Sequence, residues 1–262
     1  MSELQKAYIK QLKHYTVTIT AFRFLLFTSF IALWEISARL DWINSFVFSS
    51  PSRIMKTFIK MCNDGSIFSH ITVTLGETFF SFALIVTLGI GAALILWMFK
   101  PLSDVLEPYL IVLNSLPKSA LAPMLIVWLG NNAKAIIVTA ISIAIFGTIL
   151  NIYTAFSGTD PEKIKLMRTF GAGKLDIFKK LVLPASLNTI ISNMKVNIGL
   201  CLVGVVIGEF LAARKGLGYL IIYGSQVFKM DWVVMSIIIL CIISVILFKL
   251  TDMAEKLVKK IS

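Results

Sequence analysis

Long apolar runs separated by short polar stretches set the pattern of this chain. Mostly apolar runs at 17–38, 78–99, 106–129, 135–157, 188–211 and 232–248 predict six spans. A helix of about 20 apolar residues covers the roughly 30 Å hydrocarbon core of a bilayer. The run at 78–99 carries no charge. The first run has Arg23 and Glu35 near its ends, where long side chains can reach the interface. The third is interrupted by Pro117, Lys118 and Pro123, and Gly130-Asn131-Asn132 closes it. Proline frees backbone groups that lipid cannot satisfy, so this stretch must face protein or water. A lysine beside such a break should face a cavity or a partner subunit. The fifth run is the polar one, with Ser192, Asn193, Lys195 and Asn197 near one end and Glu209 near the other. Lys195 and Glu209 share a helix face but lie on the order of 20 Å apart, so they cannot pair. Gly204 and Gly208 make a small-xxx-small pair suited to close helix packing.

The connections carry their own signals. Pro51 opens a short amphipathic helix, with Ile54, Phe58 and Met61 on one side and Arg53, Lys56 and Lys60 on the other. It should lie on the outer membrane surface. Residues 212–231 form an outer loop that can re-enter the membrane through Leu220 and Ile221. The most charged connection, 158–187, holds two short predicted helices around a glycine corner. Asp160 suits an N-cap, Pro161 the first helical position, and Glu162 the positive end of the helix dipole. Ile164, Met167 and Phe170 recur at helical spacing, with Lys163, Lys165 and Arg168 off that face. Gly171 and Gly173 offer positions for positive φ. Leu175, Phe178 and Leu181 continue a second helix that Leu183-Pro184 should end. From the pattern alone, this stretch reads either as a solvated basic loop or as a docking element.

The stretch resembles the cytoplasmic coupling loop of permease subunits of bacterial ATP-binding-cassette importers. The matching residues are Gly171, Leu183 and Pro184, together with the downstream run GVVIGEFLAARKGLGY at 204–219. The combination is most similar to the branch carrying nitrate, taurine, alkanesulfonates and pyrimidine-type thiamine precursors. Where that motif places Glu-Ala-Ala, this chain reads Lys165-Leu166-Met167, so the usual carboxylate is missing. The resemblance implies a second permease copy, two cytoplasmic ATPases that bind ATP and Mg²⁺, and an extracytoplasmic solute-binding protein. It implies an ATPase-coupling set of Asp160, Glu162, Lys165, Met167, Arg168, Phe170, Gly171, Phe178, Leu183 and Pro184. It also implies a multi-pass protein of the bacterial inner membrane.

Composition narrows the alternatives. With 57% hydrophobic residues, 15% charged and a mean hydropathy of +0.86, 262 residues cannot make a soluble domain. The expected fold is all-α, one polytopic permease domain over 1–262 with about six transmembrane helices. A cytoplasmic lead (1–16) precedes them, and the coupling loop (158–187) joins spans four and five. The net charge of +11 is scattered between apolar runs with no basic face interleaved with aromatics, which argues for topology rather than nucleic acid. Lys and Arg favour the segments that place both termini and the coupling loop inside. The start of the chain has no pattern of a cleaved signal peptide. Cys62, Cys201 and Cys241 have no paired spacing, and His14 and His70 belong to no metal-spaced cluster. Gly171-Ala-Gly-Lys174 lacks the remaining glycine and the Ser or Thr of a phosphate-binding loop, so no ATP site is expected here.

The function expected is that of the transmembrane permease of an ATP-driven importer for a small anionic or heterocyclic solute. The chain itself is expected to be no enzyme and to hold no cofactor or metal. Pathway candidates are Asn114, Ser115, Lys118, Asn193, Lys195 and Asn197, which could equally seal a dimer interface or reach headgroups. An ATP-independent channel or secondary transporter is the alternative. The absence of a matched broken helix in a second half argues against it.

Overall fold

The computed structural model describes residues 3–261, with side chains described for 14–256. Lys6, Lys10 and Lys13 of the expected lead, and Lys259 and Lys260, lie outside the described side chains. Twelve α-helices and one π turn follow in order: α1 (Glu3–Arg39), α2 (Ser45–Phe48), α3 (Pro51–Asn63), α4 (Ser66–Met98), α5 (Lys100–Ser115), α6 (Lys118–Leu129), α7 (Ala133–Ser157), α8 (Pro161–Thr169), α9 (Lys174–Ile177), the π turn (Phe178–Val182), α10 (Leu183–Ala212), α11 (Leu217–Gln226) and α12 (Met230–Ile261). Five of the helical stretches are long and apolar enough to cross a bilayer, and α5 with α6 makes a sixth if that bent pair is one span.

The central helix is α7, packed between α4 and α10. Close approach is made possible by glycine. A Cβ at Gly204 would lie 2.6 Å from the Cα of Ala140, and one at Gly208 3.0 Å from the Cα of Ile136. Where α4 meets α7, a Cβ at Gly89 would meet the Thr148 methyl at 2.6 Å. The predicted small-residue pair on α10 is therefore a backbone-to-backbone contact, where packing rather than the hydrophobic effect joins helices in lipid.

The third span is two helices. The chain bends by 96° between α5 and α6, at Leu116, whose extended backbone is what a following proline favours. Tyr153 donates to Ser103 at 2.9 Å, fixing the start of α5 beside the end of α7. Ile126 packs against the Ile136 cluster near the start of α7, so the bent pair traverses the bundle. Pro108 and Pro123 sit inside the two helices without breaking them.

Three other boundaries differ from expectation. The region 212–231 contains α11, whose Leu217 and Leu220 are buried among α10, α12 and α4. Leu183-Pro184 does not end a helix: Lys174 to Ala212 is one continuous helical rod. The π turn absorbs the proline, Leu183 N–H reaching back to Phe178 C=O, because a wider turn removes the clash of the ring with the preceding carbonyl. Gly173 has φ −73°, so only Gly171 of that corner uses positive φ.

Among its described residues α1 buries only Ala38, near its end. It meets the bundle through its end, where the Glu35 carboxylate accepts from Arg39 at 2.7 Å and from the Ser52 N–H at 3.0 Å. Helix α3 is the predicted amphipathic helix, burying Ile54 and Met61 with Arg53 turned to Asp231 at 3.2 Å.

Candidate functional site

The loop at 158–187 is built from short-range rules. The Asp160 carboxylate accepts the Glu162 N–H at 2.9 Å, satisfying one of the free donors of the first turn of α8. At the other end Gly171 takes φ +77° and Ala172 N–H bonds to Met167 C=O at 3.1 Å. Gly171 N–H bonds to Arg168 C=O at 2.9 Å, completing a Schellman cap. Lys174 Nζ donates to the last carbonyl of α4, Met98, at 3.2 Å, placing a cation at the negative end of that helix.

Packing divides the predicted apolar face in two. Ile164 and Met167 lean on the bundle core with Ile177, Phe178 and Val182. Phe178 is buried, its ring edge-on to Phe156 at 5.2 Å and tilted against Trp97 at 5.7 Å. Phe178 therefore anchors the loop to the bundle and is not available to a docking partner. Ile177, Phe178 and Val182 form the inward side of this helix, with Leu181 half-buried beside them. Turned outward instead are Phe170, 81% exposed, with Leu166 and Leu175 also exposed. Glu162, Lys165 and Arg168 surround them on the exposed side, Leu183 packs on the core cluster, and Pro184 is exposed in the first turn of α10.

The six polar pathway candidates are not brought together. Lys118 donates to the Asn114 carboxamide at 2.9 Å at the α5–α6 bend, and Asn114 Oδ1 faces Gly147 of α7. Ser115 donates to the Ile111 carbonyl at 2.9 Å. Asn197 is buried, accepting from Thr148 at 3.1 Å. Lys195 turns towards α12, paired with Asp252 at 2.6 Å and with Glu255. Asn193 lies about 200° around the helix from Lys195, in a polar groove with Asn151, Thr154, Thr189 and Ser192. That groove holds about 520 Å³ and no charged residue lines it. The buried Asn193 Nδ2 has no partner, a donor left open beside it. The α7 half of this groove, Asn151 and Thr154, gave no sequence signal because isolated amides and hydroxyls inside an apolar run read as tolerated polar residues.

At the other end of the bundle, Glu209 is fully buried and ties three helices together. One carboxylate oxygen accepts from Thr74 of α4 at 2.7 Å, the other from the Gly218 N–H at 2.6 Å. Thr74 accepts the Leu217 N–H at 2.8 Å, and His70 Nδ1 accepts the Gly216 N–H at 3.0 Å. Helix α11 has no side-chain cap of its own, so remote residues satisfy its first donors and a carboxylate meets its positive end. Gly216 (φ +122°) and Gly218 are required here, because a Cβ at either would collide with the Glu209 side chain. Spacing alone did not connect Glu209 to residues 70 and 74, which lie more than a hundred positions earlier.

Comparison with known proteins agrees with this architecture. Residues 85–260 match the family model described as binding-protein-dependent transport system inner membrane component. The formylaminopyrimidine transport permease protein ThiX of Halalkalibacterium halodurans is 28% identical over 195 residues, covering 74% of this chain and 77% of that protein. The putative aliphatic sulfonates transport permease protein SsuC of Bacillus subtilis is 26% identical over 231 residues, covering 88% and 82%. A crystal structure of a bacterial ABC transporter involved in the import of the acidic polysaccharide alginate contains a chain of the same fold. Its TM-score is 0.67 at 14% identity, covering 97% of this chain and 99% of that one. The chain belongs to the binding-protein-dependent transport system inner membrane component family and is a multi-pass permease subunit of an ABC importer.

Proposed function

We propose that this permease works as a pair of identical copies, carries a small anionic or heterocyclic solute delivered by a binding protein, and couples to two cytoplasmic ATPases through residues 160–184. The observation that carries the coupling is the outward patch of Phe170, Leu166 and Leu175. Large apolar side chains on a capped, anchored helix pair at the end of the spans are what a protein partner buries. Positive residues around the patch take the place of the usual carboxylate, so docking rests on shape and apolar contact. ATP and Mg²⁺ belong to the partner ATPases.

Both termini lie on the ATPase side in this reading. Support comes from the Lys195–Asp252 pair, which joins the latter part of α12 to the half of α10 that follows the coupling loop, and from the contact of Glu35, near the end of α1, with Ser52 of α3. The solute route follows the uncharged groove of Asn151, Thr154, Thr189, Ser192 and Asn193, with Asn114 and Lys118 at the bend as the basic element. Lys195 serves as a brace between α10 and α12. Relatives named for formylaminopyrimidine and aliphatic sulfonates support the solute class.

The test is Phe170→Asp in the assembled transporter. The expected result is loss of ATPase co-purification and of solute-stimulated ATP hydrolysis, with permease yield unchanged. Hydrolysis at the parent rate removes the loop from the mechanism. Solute flux through the chain alone in liposomes without ATP replaces the reading with a channel or carrier.

A further inference from the structure

A second site lies at the end of the bundle remote from the coupling loop. The 33 residues of α4 separate Ser66 from Met98, the residue that Lys174 reaches; at 1.5 Å per residue that is about 50 Å. There, α3, the start of α4, α11 and the start of α12 enclose a cleft of about 600 Å³. One wall is a run of rings. His70 stacks on Tyr219 at 6.2 Å, Tyr219 on Tyr223 at 5.6 Å, and Tyr223 tilts against Trp232 at 6.0 Å. The run is positioned by the Glu209 cluster, which holds the first turn of α11 in place.

The charges around the cleft are unequally engaged. Its two carboxylates already have partners: Asp231 accepts from Ser49 at 2.6 Å and pairs with Arg53 at 3.2 Å, and Asp64 accepts the Ser66 N–H at 2.9 Å. Its two ammonium groups form no direct ion pair, although Lys60 lies near enough to Asp64, one turn on, to favour its charged form. Among the described residues neither Lys60 nor Lys229 has a carboxylate within ion-pair distance. Lys229 instead sits 4.4 Å from the centre of the Trp232 ring. Two cations free of direct ion pairs, beside a half-buried run of rings that opens at Tyr223, suit a flat ring bearing a negative group: the ring packs on the aromatic wall, and the anion takes the ammonium donors.

We propose that this cleft binds a planar aromatic or heterocyclic anion, as an accessory site on a single protomer at the face opposite the coupling loop. It rests on the transport reading only in identifying that ligand with the class of solute carried. The probe is benzenesulfonate, titrated by calorimetry into the assembled transporter in lipid nanodiscs. Methanesulfonate supplies the charge without a ring, and pyrimidine the ring without a charge.

Saturable benzenesulfonate binding is expected, with both controls at least about tenfold weaker. Combining Lys60→Met with Lys229→Met should weaken it about tenfold or more, and the corresponding double Arg variant should stay within about threefold of the parent. These lysines are exposed, so neither variant threatens folding. No saturable binding at millimolar probe overturns the proposal. So does methanesulfonate binding as tightly as benzenesulfonate, or unaltered binding in the double Met variant. Solute-stimulated ATP hydrolysis is read on the same samples. Lost binding with intact coupling removes the cleft alone, whereas binding that survives in the Phe170→Asp permease, with or without its ATPase, separates this site from failure of the coupling reading.

Discussion

The two ends of the bundle are held by opposite strategies. At the coupling end the helix termini are closed locally, by an Asp cap two residues from its donor and a Schellman turn, and only Lys174 on the end of α4 and the apolar side around Phe178 tie the loop to the bundle. The surface it presents is left apolar and open. At the far end the restraints are long-range. Glu209, Thr74 and His70 reach across three helices to satisfy the backbone of α11, and the carboxylate is sealed from solvent. Local restraints are individually cheap to lose and leave the bundle intact. A buried, shared carboxylate concentrates the integrity of its whole end in one side chain.

Removing the shared carboxylate is the strongest way to probe this contrast. Glu209→Ala should cost about 3–5 kcal/mol, because it orphans the Thr74 hydroxyl and the Gly218 N–H in a dry site and opens a cavity. The check is thermal unfolding in detergent, where a fall of a degree or less would mean the cluster is not the restraint described. Gly218→Ala should follow at about 2–3 kcal/mol: its Cβ would meet Glu209 Cβ and the Val206 carbonyl, both at 2.9 Å.

The coupling end should respond less in stability and more in activity. Gly171→Val has open space around its Cβ but positive φ, so about 1–2 kcal/mol of backbone strain is expected. Its larger consequence is misdirection of Phe170, read as lost solute-stimulated ATP hydrolysis. Asp160→Ala should cost about 1 kcal/mol, visible as faster amide exchange confined to α8 and no change in the unfolding midpoint of the spans.

Inside the bundle, Asn193→Leu should slow transport about tenfold by removing a polar group from the groove. Lys195→Met should change it by less than about twofold, since that lysine faces α12. Equal effects would erase the distinction between lining and bracing.

What could be read from the sequence follows the same division. The spans, the α3 amphipathic face, the Asp160 cap, the Gly171 corner and the Gly204/Gly208 contact all depend on residues within one turn or one helix of each other, and periodicity exposes them. Phe178 was legible as apolar but not as inward-facing, because the rings that receive it, Trp97 and Phe156, lie on other spans. The Glu209 cluster joins positions 70, 74 and 209–218, and no local rule links them. The polar residues of the fifth span were visible, but which of them share a groove depends on the rotation of α10 against α7. Two glycine contacts set that rotation.

The uninterrupted run from Lys174 to Ala212 has a mechanical consequence. A rod of 39 residues is about 60 Å long, with Leu175 near one tip and Glu209 near the other. Its single wider turn lies next to the loop, so the remaining length bends little. The rod is pinched by the Gly204 and Gly208 contacts with α7, which form a fulcrum close to the Glu209 tip. A lever with such unequal arms trades distance for force. A wide swing imposed at Leu175 arrives at the α4–α10–α11 junction as a small displacement delivered with high leverage.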